Sequence, residues 1–524
     1  MKNIEVLDCT LRDGGYCNGW KFYNRNIPRI INGLNESGVE IIECGFLTSK
    51  VEYDLDYTLY TDITQVDEHI KKSKACIVIM INYGEYDVSL LPDKSCTKVD
   101  GIRLAFHKKD SKNALQICKE IQRKGYKLFV QPMVSLNYSK EEFIELCSNY
   151  NELNPYAFYI VDSFGSMTKQ QLQFYFEIAD VILKDAICIG FHSHNNMQLA
   201  YSNSQMLTEL YTERTLIIDA SIMGMGRGAG NLNTELFVEY LNRSTDNNYK
   251  IVSLLELIDS IINNFYSEKK WGYSLENYIS AKHDSHPNYA AFLSQKNSLN
   301  YEDMNAIFEM MDDDKRVNYD ENYARDLYKR YMVRNKSRVR EVTYPMQEFE
   351  GKSVLLIGPG KSASHYKEKV YKYIQEINPV TIEINFRYPE LSTDYLFLSN
   401  LRRFKEIEKE ELKKAIVTSN IETDIAYKIV NYDQLRNNND FVSDNAGMMA
   451  IKFCLLNKVS EIKIVGMDGY DFTKDNYLDD SMRMNMSRDE MERLNLGMKN
   501  QILEFMKSGK ISFIVKPKYL EGVE

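Results

Sequence analysis

Short apolar runs alternate with longer amphipathic stretches through the first 250 residues of the chain. Runs rich in Ile, Val, Leu and Phe fall at 4–8, 39–46, 77–82, 101–106, 127–134, 158–162, 187–192 and 217–223, and they read as eight strands. Between them, segments such as 113–124 and 169–182 repeat apolar positions at the 3.6-residue period of a helix. Eight β/α units in about 250 residues fit the count and size of a (β/α)8 TIM barrel. An open doubly wound sheet would show the same alternation.

Past residue 250 the strand signal stops, and 251–345 reads as a helical extension and linker. It ends in a charged stretch with Arg334, Lys336, Arg338 and Arg340, whose charge suits a phosphate but whose pattern reads first as a solvated helix face. Alternation resumes over 346–524. SVLLIGPG is a buried strand entering a Gly turn, and SASHYKEKVYKYIQEIN is a helix. VTIEINF, YLFLSN, KAIVTSN and KIVNY are further strands, NAGMMAIKFCLLNKV is a helix, and EIKIVGMDGYDF is a strand plus loop. This is the pattern of a Rossmann-like α/β domain.

Composition narrows the function classes. With 65 Lys and Arg against 75 Asp and Glu, the net charge of −10 argues against a general nucleic-acid binder. The 44% hydrophobic and 27% charged content is that of a globular protein. No run approaches the roughly 18 apolar residues of a membrane span, and MKNIEVLDCTLRDGG lacks the apolar core of a secretory signal. The nine cysteines are odd in number, scattered and without a CxxC, which suggests reduced thiols in the cytoplasm.

Three motifs end strands that neighbour one another in a closed barrel: Thr10–Gly15 (TLRDGG), Gly190–Asn196 (GFHSHNN) and Gly224–Asn231 (GMGRGAGN). His192 and His194 lie two apart, so on a strand both point to one face. With Asp13 they make two imidazoles and a carboxylate, a donor set for a divalent cation that leaves positions open for substrate. The glycines of GMGRGAGN serve a tight βα turn and also let backbone approach a ligand. In the second alternating region, Gly358, Gly360 and Ala363 read as GxGxxA, with Glu383 on the next strand where a dinucleotide ribose contact would fall. A helix start with free N–H groups suits any phosphate, and a plain strand-to-helix turn accounts for the same residues.

TLRDGG, RLAFH, VDSFGSM, GFHSHNN and DASIMGMGRGAGN resemble the DRE-TIM metallolyases, most closely the 4-hydroxy-2-oxovalerate aldolases, over about residues 3–245. The resemblance implies that Asp13, His192 and His194 bind the metal and that Asn231 completes its shell. Mn2+ is the implied ion, with Mg2+, Co2+ and Zn2+ as alternatives. Arg12 would hold the 2-oxo acid and stabilise an enolate, Ser163 would meet the substrate carboxylate, and Asp162 and Glu43 would orient metal waters. His107 matches a histidine of the aldolase pattern. The departure is Tyr16, which stands where the bacterial aldolases place a catalytic histidine. A phenol with its ordinary pKa near 10 is a poor base at neutral pH, so His107, a metal-bound water, His283 or His286 would take that role, with Tyr16 as a pocket wall, or the reaction itself differs. The implied partners are a small 2-oxo acid and an aldehyde, and related barrels suggest a homodimer.

GPGKS followed by SDNAG and IVGMDGYDF resembles bacterial sialyltransferases and MptE-like pterin pyrophosphokinases, at those loops only. It implies a nucleotide or sugar-phosphate pocket at Gly358, Gly360, Lys361, Ser362, Asp444 and Asn445, with Asp468 and Asp471 for a metal, a ribose or a loop cap. The combined expectation is a metal-dependent C–C lyase fused to a domain for a phosphorylated or nucleotide-linked sugar, in surface-glycan biosynthesis. A Claisen-type acyl-CoA lyase or synthase, or a non-catalytic barrel beside a transferase-like domain, are the competing expectations.

Overall fold

The computed structural model describes residues 3–522 apart from 297, 335–341, 389, 440, 474, 480–485 and 487. Of the basic cluster, Lys336, Arg338 and Arg340 lie outside the described residues. The chain forms two compact units, one of residues up to 291 with 312–319, the other of 292–311 with 320 onward.

In the first unit eight parallel strands close on themselves. They are β1 (Ile4–Asp8), β2 (Ile41–Leu47), β3 (Cys76–Asn82), β4 (Gly101–Phe106), β5 (Lys127–Pro132), β6 (Ala157–Asp162), β7 (Cys188–Ser193) and β8 (Leu216–Ala220). Each pairs with its successor, and β8 returns to β1 with Ile4 opposite Leu216 and Asp8 opposite Ala220. That last pairing makes the sheet a barrel and excludes the open alternative. Helices Ile27–Ser37, Ser111–Arg123, Lys140–Asn151, Lys169–Ile182 and Ala200–Glu209 fill five of the seven crossovers, 3-10 turns fill those after β2 and β3, and Thr234–Ser244 follows β8. Local sequence sets their starts: Thr168 accepts from the Gln171 N–H while the Gln171 side chain accepts from the Thr168 N–H, a reciprocal cap on the helix of the sixth crossover.

Strand alternation sorts the apolar residues into two layers. Val6, Ile42, Ile79, Ile102, Leu104 and Phe158 pack with the crossover helices. Leu7, Ile41, Val78, Phe129, Tyr159 and Ile217 form a separate cluster on the opposite strand faces. Three charged residues share that inner side: Glu43, Arg103 and Asp219, each no more than 1% exposed.

The helical stretch expected as one bridge over 251–345 is divided. Ile251–Leu257 packs on Ile27–Ser37 within the first unit. Tyr301–Glu309 and Glu321–Val333 belong to the second. The amphipathic pattern marks a buried face on each helix but not which core receives it.

The second unit is built on an open seven-stranded parallel sheet: β9 (Ser353–Ile357), β10 (Val380–Ile384), β11 (Tyr395–Leu398), β12 (Ala415–Thr418), β13 (Lys428–Val430), β14 (Glu461–Val465) and β15 (Ile511–Phe513). Their order is β13-β12-β11-β10-β9-β14-β15. The chain therefore reverses its direction of travel between β9 and β14, the crevice where open parallel sheets accept ligands. The last strand and the helix Arg488–Met506 were not among the elements expected from sequence. Among the described residues no helix is long and apolar enough to cross a membrane.

Candidate active site

Asp13 follows β1, and His192 and His194 end β7, so barrel closure brings the three together. One ligand atom of each lies within 4.8 Å of the others, and all three residues are buried. An antiparallel bridge between His194 and Asn231 ties the β7 end to the Gly-rich loop after β8. The Asn231 amide donates to Asp13 Oδ2 at 2.7 Å, and its buried Oδ1 has no partner. A Cβ on Gly226 would lie 2.3 Å from Asn231 Nδ2 and 2.5 Å from Asp13 Oδ2, so only glycine lets this loop lie against the carboxylate.

The electrostatics suit a cation. Burial would raise the Asp13 carboxyl, but Arg12 and then His194, His192 and Arg227 hold it well below the usual carboxylate range. Burial pushes the His194 imidazole down to about 3, against the pull of Asp13, so it stays neutral with a lone pair for a metal. His192 Nδ1 donates to Asp219 Oδ2 at 2.9 Å, which leaves Nε2 as its lone-pair atom. A carboxylate behind a ligating histidine fixes the tautomer in this way in metal sites. The donor set, the neutral imidazole and the orphaned Asn231 oxygen all fit a divalent cation.

Arg12 is held on two sides. Its Nη1 donates to Asp13 Oδ1 at 2.5 Å and its Nε to Glu43 Oε2 at 2.8 Å, while its buried Nη2 has no partner. Glu43 Oε2 also meets Arg103 Nη1 at 2.8 Å, and Arg103 continues to Asp219. The Arg103 guanidinium stacks 4.8 Å above the Tyr159 ring. One buried chain of charge thus runs from Asp13 through Arg12, Glu43, Arg103 and Asp219 to His192. Arg103 and Asp219 were not singled out from sequence. The available signal was a charge inside the apolar strands GIRLAF and LIIDA, which costs too much to bury without a partner.

Other expected residues are placed differently. The Asp162 carboxylate accepts from the Ser166 and Met167 N–H groups at 3.1 Å each and so braces its own loop. Ser163 Oγ accepts from the Val134 N–H at 3.0 Å. Tyr16 is half-buried, edge-on to Trp20 at 4.8 Å and under the Arg227 guanidinium at 5.4 Å. Burial raises its phenol further, against the pull of Arg227, so it keeps its proton. His107 directly follows β4 and is lowered by burial, hence neutral. His286 reaches Arg227, with Nε2 3.4 Å from Nη1. His283 is not part of that contact.

In the second unit, Gly358, Gly360, Asp444, Asn445 and Asp468 line one cavity of about 210 Å³. It opens between the ends of β9 and β14, with Asn385 and Asn400 from the neighbouring strand ends. Lys361 turns instead to Asp475 at 3.5 Å. Ser362 gives its N–H to Asp468 Oδ2 at 2.8 Å and its hydroxyl to Oδ1. The helix start expected to be open to a phosphate is therefore filled by a carboxylate of the chain itself. The Glu383 ribose contact is overturned as well: its oxygens accept from the Tyr388 N–H at 2.7 Å, Arg387 at 2.7 Å and Thr393 at 2.9 Å. Asn445 Oδ1 is spent on the Met448 N–H at 3.1 Å, and Asp444 accepts from the Tyr328 hydroxyl.

A family model described as HMGL-like matches residues 3–261. The chain is 30% identical over 252 residues to a 4-hydroxy-2-oxovalerate aldolase of Geobacillus genomosp. 3, covering 46% of this chain and 71% of the relative. It is 27% identical over 253 residues to the enzyme of the same name from Carboxydothermus hydrogenoformans, covering 46% and 71%. It is 25% identical over 246 residues to an oxaloacetate decarboxylase of Mycobacterium tuberculosis, covering 45% and 70%. With a closed barrel, a buried Asp-His-His cluster at its strand ends and these relatives, the chain belongs through its N-terminal half to the HMGL-like, DRE-TIM metallolyase family.

Proposed function

We propose that the barrel is a divalent-metal-dependent aldolase that makes or breaks the C3–C4 bond of a 4-hydroxy-2-oxo acid through a pyruvate enolate. The observation that carries this reading is the Asp13, His192 and His194 cluster with the unpartnered Arg12 Nη2 beside it. A divalent cation held by Asp13, His192, His194 and Asn231, with Mn2+ the first choice, would supply Lewis-acid stabilisation of charge on the 2-oxo group. Arg12, braced by Asp13 and Glu43, aims its free N–H at the oxygen where charge develops, and a preorganised donor of this kind needs no rearrangement during reaction. In cleavage, neutral His107 takes the 4-hydroxyl proton, and the C3–C4 electron pair passes to the enolate as C4 leaves as an aldehyde. Protonation at C3 then gives pyruvate. Tyr16, which keeps its proton, serves as a wall or donor and not as the base. The relatives named for aldol cleavage and for oxaloacetate decarboxylation are both consistent with a 2-oxo acid substrate.

The second unit, taken as the domain over 346–524, is assigned a nucleotide-linked or phosphorylated sugar. Its cavity at the sheet's switch point supports this reading, and a route to a surface glycan would join the two halves. Nine unpaired thiols favour a reducing compartment, the cytoplasm.

The test is proton exchange. Full-length protein with Mn2+ and pyruvate in D2O should deuterate the pyruvate methyl group by NMR, and D13A or H192A should abolish it. No exchange by the metal-loaded protein, with or without an aldehyde, overturns the pyruvate-enolate reading.

A further inference from the structure

Arg227 sits in the Gly-rich loop after β8, among groups that leave it without a direct ion-pair partner. Its Nη2 donates to the Ser163 carbonyl at 3.2 Å, its guanidinium lies over the Tyr16 ring, and its buried Nε has no partner. Among the described residues no carboxylate forms an ion pair with it. Arg12, by contrast, is clasped by Asp13 and Glu43.

The contact at Nη1 is frustrated. Both ring nitrogens of His286 face donors: the Asn288 N–H lies 3.2 Å from Nδ1 and Arg227 Nη1 lies 3.4 Å from Nε2. A neutral imidazole has one acceptor nitrogen, so it can take a hydrogen bond from only one of these two donors. Protonating His286 would worsen the clash, and burial, then Arg227 and His107, keep it neutral by lowering it to about 3. An anionic oxygen beside Nη1 would supply the acceptor that the ring cannot give to both neighbours, and the buried Nε–H, on the other edge of the guanidinium, is a second donor still open. A charge-assisted contact from a guanidinium to a carboxylate or phosphate oxygen is of this kind.

We infer that Arg227 and His286 form a second anion site at the barrel mouth, which selects an aldehyde partner carrying a carboxylate or phosphate. This rests on the aldolase reading and deepens it. The 2-oxo end belongs to Arg12 and the Asp-His-His cluster, and the far end of the substrate belongs to Arg227. Tyr16 fits the same picture: it forms a floor for the guanidinium where the bacterial aldolases carry a histidine.

The test compares size-matched aldehydes with pyruvate and Mn2+ on the full-length chain. Succinic semialdehyde is paired with butyraldehyde, and glyceraldehyde 3-phosphate with glyceraldehyde. Wild type should favour at least one charged member in kcat/KM, and the favoured pair identifies carboxylate or phosphate. R227Q should cut that preference at least about tenfold, R227K should retain part of it, and H286N should cut it less than R227Q. R227Q should also raise KM for the charged aldehyde more than it raises KM for pyruvate in proton exchange. A binding readout without turnover is calorimetric titration of succinate and inorganic phosphate, in which R227Q should weaken the favoured anion about tenfold. Exchange-competent wild type with no preference for either charged aldehyde overturns the inference and leaves the aldolase reading standing. Equal losses for pyruvate and charged aldehyde in R227Q also overturn it, by moving Arg227 to the 2-oxo end. Absence of exchange in wild type is the separate failure of the underlying reading.

Discussion

The barrel mouth and the cavity of the second unit occupy equivalent places in their sheets, at the C-terminal ends of parallel strands. They differ in what their polar groups are doing. At the barrel mouth the charged groups brace one another and still leave atoms idle: Arg12 Nη2, Glu43 Oε1 and Asn231 Oδ1 are buried without partners. In the second unit Asp468 and Asn445 cap helix starts, and Asp444 holds a tyrosine hydroxyl. Buried orphans cost free energy, and the three clustered beside Asp13, His192 and His194 are the ones placed to meet a ligand. Satisfied caps maintain shape, and they tell much less about the ligand.

The largest test of that contrast is removal of a first donor. D13A or H192A should cut pyruvate exchange at least about 1000-fold and abolish tight Mn2+ binding by electron paramagnetic resonance. Residual tight binding would place the ion elsewhere. Next is the brace. R103M leaves Glu43 and Asp219 buried without their shared partner, and chemical unfolding should show the barrel destabilised by about 3–5 kcal/mol. A loss under about 1 kcal/mol would make the charged chain incidental. The base separates two residues at the mouth. H107N should lower turnover about 100-fold or more, whereas Y16F should change it less than about threefold. The reverse ranking would make Tyr16 the base and overturn the assignment to His107.

A smaller effect is expected from acid. His286 has a folded value of about 3, well under the ordinary value near 6.5 for an unfolded histidine. Between those limits the unfolded chain binds the extra proton. The stability contributed is complete above about 6.5 and is lost as pH falls through the window. Melting temperatures from pH 7 to 4 should decline, and H286N should flatten the decline. The smallest expected effect lies in the other unit. D468A removes the cap on Ser362 and should lower the unfolding free energy of that unit by about 1 kcal/mol while leaving pyruvate exchange at the wild-type rate.

Much of this organisation can be read from the chain itself. The eight short apolar runs place the barrel strands within a few residues, because each strand has one face on helices and one on the interior and is buried on both. His192 and His194 are legible because strand geometry forces them to one face, and Asp13 because closure makes β1 a neighbour of β8. Arg103 and Asp219 are harder to see. They come from β4 and β8, and only the curvature of the closed sheet brings them to within an ion pair. Arg227 and His286 are harder still, since their meeting depends on how a loop and a distant helix start converge. In the second unit, GPGKS reads as a phosphate turn until the fold delivers Asp468 from more than 100 residues later to its N–H groups.

The linked chain from Arg12 to Asp219 also fixes the charge state of the barrel interior. With Asp13 at its outer end, the linked chain has two guanidinium groups, Arg12 and Arg103, against three carboxylates, Asp13, Glu43 and Asp219, an excess of one negative charge. A divalent ion would turn that deficit into a single positive charge, and a monoanionic 2-oxo acid would then bring the interior to neutrality. A neutral analogue such as an ester would leave the surplus uncompensated. Binding of ion and substrate should therefore be mutually reinforcing, with each raising the affinity for the other.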